Sequence, residues 1–172
     1  FTKEQCLAVR NMMDAESGKV FNSPSHKIYK DRDYLIIIQA HIDSSFEKYY
    51  LDGPEDKVLL PFNLDIEIKD RASLTHIPHD KHIACLDLDK VTFPLTIRKW
   101  VHGDYFVPLG MDQMKKVSDF FIDNKIPVPQ KERTWILASG RKILWIIGLR
   151  IDDRFKITPE TRKILKLQIH ET

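Results

Sequence analysis

The chain has 172 residues, of which 42% are hydrophobic and 30% charged, and its formal net charge is +2. This composition is too apolar for a disordered chain, and a chain of this length buries roughly 70% of its unfolded surface in one domain or two small ones. Residues 1–97 carry 12 Lys or Arg against 16 Asp or Glu, whereas residues 98–172 carry 15 against 9. The basic second half raises the odds of a polyanionic partner, although charge alone favours an ordinary solvated lysine surface.

The first predicted element is an amphipathic helix of about four turns. Thr2 is a suitable N-cap residue and Gly18 a suitable stop. Between them, Cys6, Val9 and Met12 recur at helical spacing. Three short apolar segments between residues 18 and 38 are separated by turn-forming residues, which predicts a β-meander after the helix.

The middle of the chain alternates strand candidates with polar, proline-containing stretches. The segments LDIEIK (64–69) and HIACLDL (82–88) place apolar residues on one face and charged residues on the other, which predicts a sheet covered on one side. The charge bias changes sign after Lys90. We therefore predict a boundary there, between a domain at residues 1–90 and a second domain at 91–172.

The second predicted domain is a small sheet with helices. LTIRKW and DYFVPLG are predicted strands joined as a hairpin at His102-Gly103, and a helix is predicted from Lys115 to Asn124. A second short helix follows Pro129, and WILAS and KILWIIGL flank a tight turn at Gly140-Arg141 as the central strands. With a final strand ILKLQI, the predicted fold class is α+β: an N-terminal helix and β-meander, then a small mixed α/β module with a mostly antiparallel sheet.

Two groups of cations in this half are candidate phosphate contacts. Lys115 and Lys116 are predicted to open the helix, where a phosphate would meet both ammonium groups and free backbone N–H groups. In extended structure Arg150, Arg154 and Lys156 would share one face. The alternative is that the two arginines pair with Asp152 and Asp153, which at an exposed site is worth under about 1 kcal/mol.

No catalytic or metal site is predicted. The sequence contains no glycine-rich phosphate loop and no nucleophile elbow, which argues against ATP binding and against catalysis. His76, His79 and His82 have ligand-like spacing, but Pro78 interrupts the run, so we interpret them as solvated loop histidines.

The cysteines and the apolar runs carry two further predictions. Cys6 and Cys85 have no CxxC spacing, and we predict that both are buried, reduced thiols. No apolar run approaches the roughly twenty residues of a membrane span, so no membrane is predicted as a partner.

Three segments carry a resemblance to a known family. GDYFVPLGM (103–111), KKVSDFFIDNKIP (115–127) and WIIGLRIDDRFKIT (145–158) resemble, in this order, the C-terminal part of bacterial tRNA(Ile)-lysidine synthetases. More weakly, Ser17-Gly18-Lys19 and the Tyr29-x-Asp31-Arg32 run resemble the end of that family's substrate-binding domain. One departure is Asp112-Gln113-Met114, where the family usually has a glycine before the lysine pair.

The resemblance implies the tRNA-recognition part of a larger enzyme. The family ligates lysine to the wobble cytidine of a minor tRNA(Ile) using ATP, with Mg²⁺ expected, in an N-terminal domain whose Ser-Gly-Gly-x-Asp-Ser phosphate loop this sequence lacks. The start at Phe1, without an initiator Met, likewise predicts a piece of a longer cytoplasmic protein. By itself this chain is expected to be inactive, to contain no cofactor and to bind the acceptor-stem side of tRNA.

Carried over position by position, the resemblance assigns tRNA contact to seven basic residues: Lys115, Lys116, Lys125, Arg133, Arg150, Arg154 and Lys156. The implied partners are tRNA(Ile) and the enzyme's own catalytic domain, with a homodimer left open. The alternative is a protein-docking or dimerisation module without RNA contact, for which Trp100, Trp135 and Trp145 would be the interface anchors.

Overall fold

The computed structural model describes residues 2–39, 47–56 and 58–170. In chain order the elements are α1 (Lys3–Asn11), β1 (Val20–Asn22), β2 (His26–Asp31), β3 (Tyr34–Gln39), β4 (Lys48–Leu51), β5 (Asn63–Asp70), β6 (Ile83–Asp87), β7 (Leu95–Lys99), β8 (Tyr105–Phe106), β9 (Lys115–Lys116), α2 (Val117–Asp123), α3 (Val128–Arg133), β10 (Trp135–Ser139), β11 (Lys142–Ile146), β12 (Arg150–Ile151) and β13 (Lys163–His170). The pairs between these strands are antiparallel. The predicted α+β class with mostly antiparallel sheet is confirmed.

The described residues up to 39, together with Asp123–Arg133, form a first compact unit. Its helix α1 begins with a capping box, because the Thr2 hydroxyl accepts the Gln5 N–H and the Gln5 side chain accepts the Thr2 N–H. The predicted cap is therefore confirmed, but the helix ends at Asn11, well short of the predicted four turns. Strands β1, β2 and β3 form the predicted meander.

Helix α3 completes the first unit. The hydroxyl of the fully buried Tyr29 donates a hydrogen bond of 2.6 Å to the Glu132 carboxylate, and the Lys27 ammonium lies 3.8 Å from the same carboxylate. The Arg32 guanidinium also donates to the Lys125 carbonyl oxygen at 3.4 Å. A segment more than ninety residues away in sequence therefore stabilises the N-terminal meander.

Removing the Tyr29 hydroxyl tests this contribution. Tyr29→Phe is expected to lower the free energy of unfolding by about 1–2 kcal/mol, because a part-buried hydrogen bond to a charged acceptor is lost. Tyr49→Phe is the matched control, since its hydroxyl donates to Glu47 at an exposed position, and we expect a change of under about 0.5 kcal/mol. Urea unfolding measures both, and equal effects would contradict a stabilising role for α3.

The remaining described residues, 47–122 and 134–170, form the second unit. It contains a five-stranded sheet in the order β12-β11-β10-β7-β4 and a three-stranded sheet in the order β5-β13-β6. Side chains from both sheets meet in one hydrophobic core, which also includes Phe155 from the turn after β12. The buried members of this core are Leu51, Ala84, Leu86, Leu95, Ile97, Leu137, Leu144, Trp145, Phe155, Leu165 and Leu167.

The hairpin β10–β11 lies inside the five-stranded sheet, as predicted from WILAS, KILWIIGL and the Gly140 turn, where Gly140 has φ +57°. The predicted hairpin between β7 and β8 is wrong. Strand β7 pairs instead with β10 and β4, and β8 pairs with β9. In the turn after β7, the Asp104 carboxylate accepts hydrogen bonds from the Arg98 guanidinium and the Val101 N–H.

The boundary that we predicted near Lys90 falls inside the second unit. Strand β13 pairs along its length with β5 and β6, which precede Lys90 in sequence, and β4 pairs with β7 across the same point. Backbone hydrogen bonds therefore join the segments on either side of Lys90 in two sheets.

Candidate nucleic-acid interface

Lys115 and Lys116 form the short strand β9, opposite Phe106 and Tyr105 of β8. Lys116 is exposed, and its ammonium lies 6.0 Å from the centre of the Tyr105 ring. The prediction that the two lysines open a helix is wrong, because α2 begins one residue later. The Val117 N–H donates to the Asp104 carbonyl oxygen at 2.9 Å, so this first N–H of the helix is already bonded.

We call residues 105–116 the basic hairpin. Between its two strands, the side chains of Leu109, Met111 and Met114 are exposed. Sequence reasoning missed these apolar side chains, since nothing in their spacing separates an exposed apolar turn from a buried one. The hairpin thus presents apolar and cationic side chains in one short segment.

We call residues 150–156 the acidic-basic turn. Strand β12 ends at Ile151, and Asp153–Phe155 form a 3₁₀ helix with Phe155 buried. The predicted extended stripe of Arg150, Arg154 and Lys156 is therefore wrong. The cause is local: the Asp152 carboxylate accepts the Arg154 N–H at 2.9 Å and so caps the 3₁₀ helix.

Asp152 is fully buried, and its carboxylate accepts several hydrogen bonds. One comes from the Val107 N–H at 2.9 Å, and two come from the Arg154 guanidinium, through Nε at 2.9 Å and Nη2 at 2.7 Å. The hydrogen bond to Asp152 raises the pKa of Arg154, against the opposing effect of burial. The predicted alternative, in which Arg154 pairs with an aspartate, is thus correct. The Asp152 carboxylate is buried, so the low energy of an exposed ion pair does not apply to this one.

Asp153 is paired in a similar way with Lys156. The Lys156 ammonium lies 2.8 and 3.0 Å from the two carboxylate oxygens, and the Gly110 N–H donates to one of them at 2.9 Å. Burial alone would raise the pKa of Asp153, but the hydrogen bonds from Lys156 and Gly110 and the nearby positive charges bring the pKa below its ordinary value of 3.8.

This lowered pKa predicts a loss of stability in acid. A carboxyl group whose pKa is lower in the folded state stabilises the fold above its unfolded pKa, and this contribution is lost as the pH falls through the folded pKa. Asp153→Asn is expected to cost about 1 kcal/mol at pH 7, and the difference from wild type should shrink below about pH 4. Urea unfolding of wild type and Asp153→Asn at pH 7 and below about pH 4 measures this difference in stability. A difference that grows in acid would contradict a lowered pKa of Asp153.

Backbone hydrogen bonds tie the basic hairpin to the acidic-basic turn. The Leu109 N–H donates to the Ile151 carbonyl oxygen at 3.0 Å, and the Asp153 N–H to the Val107 carbonyl oxygen at 2.7 Å. Arg150 is exposed, and no acceptor for its guanidinium lies among the residues that the structure describes. Five of the seven predicted contact residues therefore lie on two connected segments of the second unit: Lys115, Lys116, Arg150, Arg154 and Lys156.

Lys125 and Arg133, the other two predicted contacts, belong to the first unit and are exposed. Lys125 has a positive φ of 54° at a position between α2 and α3. The structure thus does not bring all seven predicted residues together in one unit.

The predictions for the cysteines and tryptophans are correct at some positions and wrong at others. Cys85 is buried, which raises the pKa of its thiol, but Cys6 is exposed, so its predicted burial is wrong. Trp145 is 1% exposed and belongs to the core, which removes it as an interface anchor. The other two tryptophans are only half-buried and pack on aromatic neighbours: Trp100 on Phe121, and Trp135 on Tyr49 and Phe62.

Within the described parts of the chain, no three His, Cys, Asp or Glu side chains are grouped so as to hold a metal ion. His76 and His79 are exposed, and the His82 ring lies 3.2 Å from the Asp80 carboxylate. No helix among the described residues has the length and apolar character to cross a membrane.

Comparison with known proteins adds two family matches. Residues 1–40 match the TilS substrate binding domain, and residues 95–169 match the TilS substrate C-terminal domain. A crystal structure of a TilS C-terminal domain covers 73% of this chain and 98% of its own, with a TM-score of 0.59 at 23% identity, which supports the fold.

Two tRNA(Ile)-lysidine synthases are similar over most of the chain. The protein of Parabacteroides distasonis is 41% identical over 151 residues, which are 87% of this chain and 34% of that protein. The protein of Bacteroides thetaiotaomicron is 35% identical over 169 residues, which are 98% of this chain and 37% of that protein. The chain therefore spans about a third of the length of these relatives.

Together the matches define a substrate-binding domain segment followed by a C-terminal domain. Two segments of the chain thus match domains of the tRNA(Ile)-lysidine synthases, which confirms the resemblance seen in the sequence.

Proposed function

We propose that this chain is the tRNA-recognition part of a tRNA(Ile)-lysidine synthase and binds the acceptor-stem side of tRNA(Ile). The observation that carries the proposal is the hydrogen-bonded junction of the basic hairpin and the acidic-basic turn, which holds Lys116 and Arg150 exposed on connected segments. Exposed cations on a rigid support neutralise phosphates and release counterions. A-form RNA hides its base edges in a deep groove, so such a surface reads backbone and stem shape.

The seven basic residues contribute unequally in this proposal. Lys116 and Arg150 are the primary phosphate contacts, because neither is in an ion pair with a carboxylate within the described residues. Lys115, Lys125 and Arg133 are further contacts. Arg154 and Lys156 reach RNA only while also bonded to Asp152 and Asp153.

Catalysis belongs to the rest of the enzyme in this proposal. The full-length protein would ligate lysine to the wobble cytidine of tRNA(Ile), using ATP with Mg²⁺ in an N-terminal catalytic domain, in the cytoplasm. The present sequence has no phosphate loop, so this chain would be inactive alone and would work with that domain.

The two predicted domains have different roles in this proposal. Residues 1–90 would supply the end of the substrate-binding domain and the connecting strands, and residues 91–172 the tRNA-binding module, completed by β5 and β6. If the chain forms a homodimer, it should self-associate under the conditions of the salt titration.

A salt titration tests tRNA binding. If four to six phosphates are contacted, the logarithm of the association constant should fall with the logarithm of salt concentration with a slope of about −3 to −5. A DNA duplex of matched length is the control, and we expect it to bind more weakly because it lacks the A-form shape and 2′-hydroxyls. Salt-insensitive self-association without tRNA binding would contradict the proposal and favour a docking module.

A further inference from the structure

Asp152 holds the Arg154 guanidinium along one edge. The Nε and Nη2 atoms of Arg154 donate to the two oxygens of Asp152, at 2.9 and 2.7 Å, in a side-on fork. A guanidinium is planar and has five N–H groups in fixed directions, so this fork leaves both N–H groups of Nη1 and one of Nη2. No acceptor for Nη1 lies in the described part of the chain, and 37% of the side chain is exposed.

The carboxylate that holds this guanidinium is fixed. Asp152 is fully buried, its Oδ2 also accepts the Val107 N–H, and its own N–H donates to the Leu144 carbonyl oxygen at 2.8 Å. An arginine oriented in advance loses less side-chain entropy when it binds a second anion. The remaining end-on pair of N–H groups on Nη1 and Nη2 matches two oxygens of one phosphate.

We propose that Asp152 is a positioning residue, which orients Arg154 so that the free edge of its guanidinium binds an RNA phosphate. This inference rests on the proposed tRNA binding. Asp152 would act without touching RNA, and Arg154 would be the residue in contact.

The direction in which one substitution changes tRNA affinity distinguishes a positioning role of Asp152 from an effect of its charge alone. Asp152→Asn removes a negative charge, so electrostatics alone predicts tighter binding of tRNA. If Asp152 positions Arg154, affinity should instead fall about five- to tenfold, because the guanidinium loses its fixed orientation. Tighter or unchanged binding would overturn the inference.

A double-mutant cycle separates positioning from a general structural role. Arg154→Ala is expected to lower affinity about tenfold, and Asp152→Asn should cause little further loss in the Arg154→Ala background. An equal further loss there would show that Asp152 acts through the fold of the hairpin and would overturn the inference. All variants are compared below their melting temperatures, measured in parallel.

Two more variants complete the experiment. Arg154→Lys keeps the charge but cannot make both forks, so it should bind as weakly as Arg154→Ala; wild-type affinity would overturn the inference. Arg141→Ala, at an exposed arginine in the β10–β11 turn, is the matched control and should change affinity less than twofold. If the wild-type chain binds no tRNA, both the function and this inference fail; if only the Asp152 and Arg154 variants behave like wild type, the inference alone fails.

Discussion

Replacing Lys115 and Lys116 together with glutamate is expected to weaken tRNA binding about 100-fold at physiological salt. The double substitution reverses two charges on β9, removes counterion release at these positions and repels nearby phosphates. The slope of the salt dependence should also become shallower by about two. A filter-binding or fluorescence titration at several salt concentrations measures both quantities.

The matched control is a double substitution at Arg141 and Lys142, the exposed cations at the β10–β11 turn. Arg141→Glu with Lys142→Glu makes the same change in net charge, and we expect a loss of less than about fivefold. Equal losses in the two double variants would mean that net charge, and not the basic hairpin, drives binding. The single variant Lys116→Glu changes only the exposed lysine of the pair. It therefore shows whether affinity also falls when the half-buried Lys115 is left intact and cannot affect stability.

Asp152→Ala is expected to lower the free energy of unfolding by about 3–5 kcal/mol. The substitution removes the acceptor of the Val107 N–H, the Arg154 N–H and the Arg154 guanidinium at a fully buried position. Buried donors left without acceptors retain their full desolvation cost. Urea unfolding monitored by tryptophan fluorescence gives the difference.

Asp65→Ala serves as the control for this prediction. Its carboxylate lies 2.7 Å from the His170 ring, but both side chains are exposed, so we expect a loss of under about 1 kcal/mol. A loss at Asp152 no larger than that at Asp65 would show that the buried carboxylate does not hold the two segments together.

Local patterns predicted the elements whose partners are close in sequence. The β10–β11 hairpin followed from apolar strands on either side of Gly140, and the meander from its turn residues. The partners of β7 and β13 were missed because they lie far away in sequence. Nothing near residue 163 indicates that β13 pairs with β5, which lies in the first half of the chain.

The residue types of the candidate site were predicted, and the pairing of Arg154 was predicted as an alternative, but the burial of Asp152 was not. Basic residues are visible in any sequence, whereas the burial of Asp152 depends on the packing of β8, β11 and the turn around it. One local signal was available: an aspartate often accepts the N–H two residues later, as Asp152 does from Arg154. That pattern favours a turn over the extended stripe that we predicted.

The placement of α3 has a consequence for how this protein is made. The Tyr29 hydroxyl donates to the Glu132 carboxylate, 103 residues later. At about 5–20 residues per second, a ribosome needs roughly 5–20 seconds to translate that interval. During synthesis the β1–β3 meander therefore lacks its contacts with α3 until that helix has been translated.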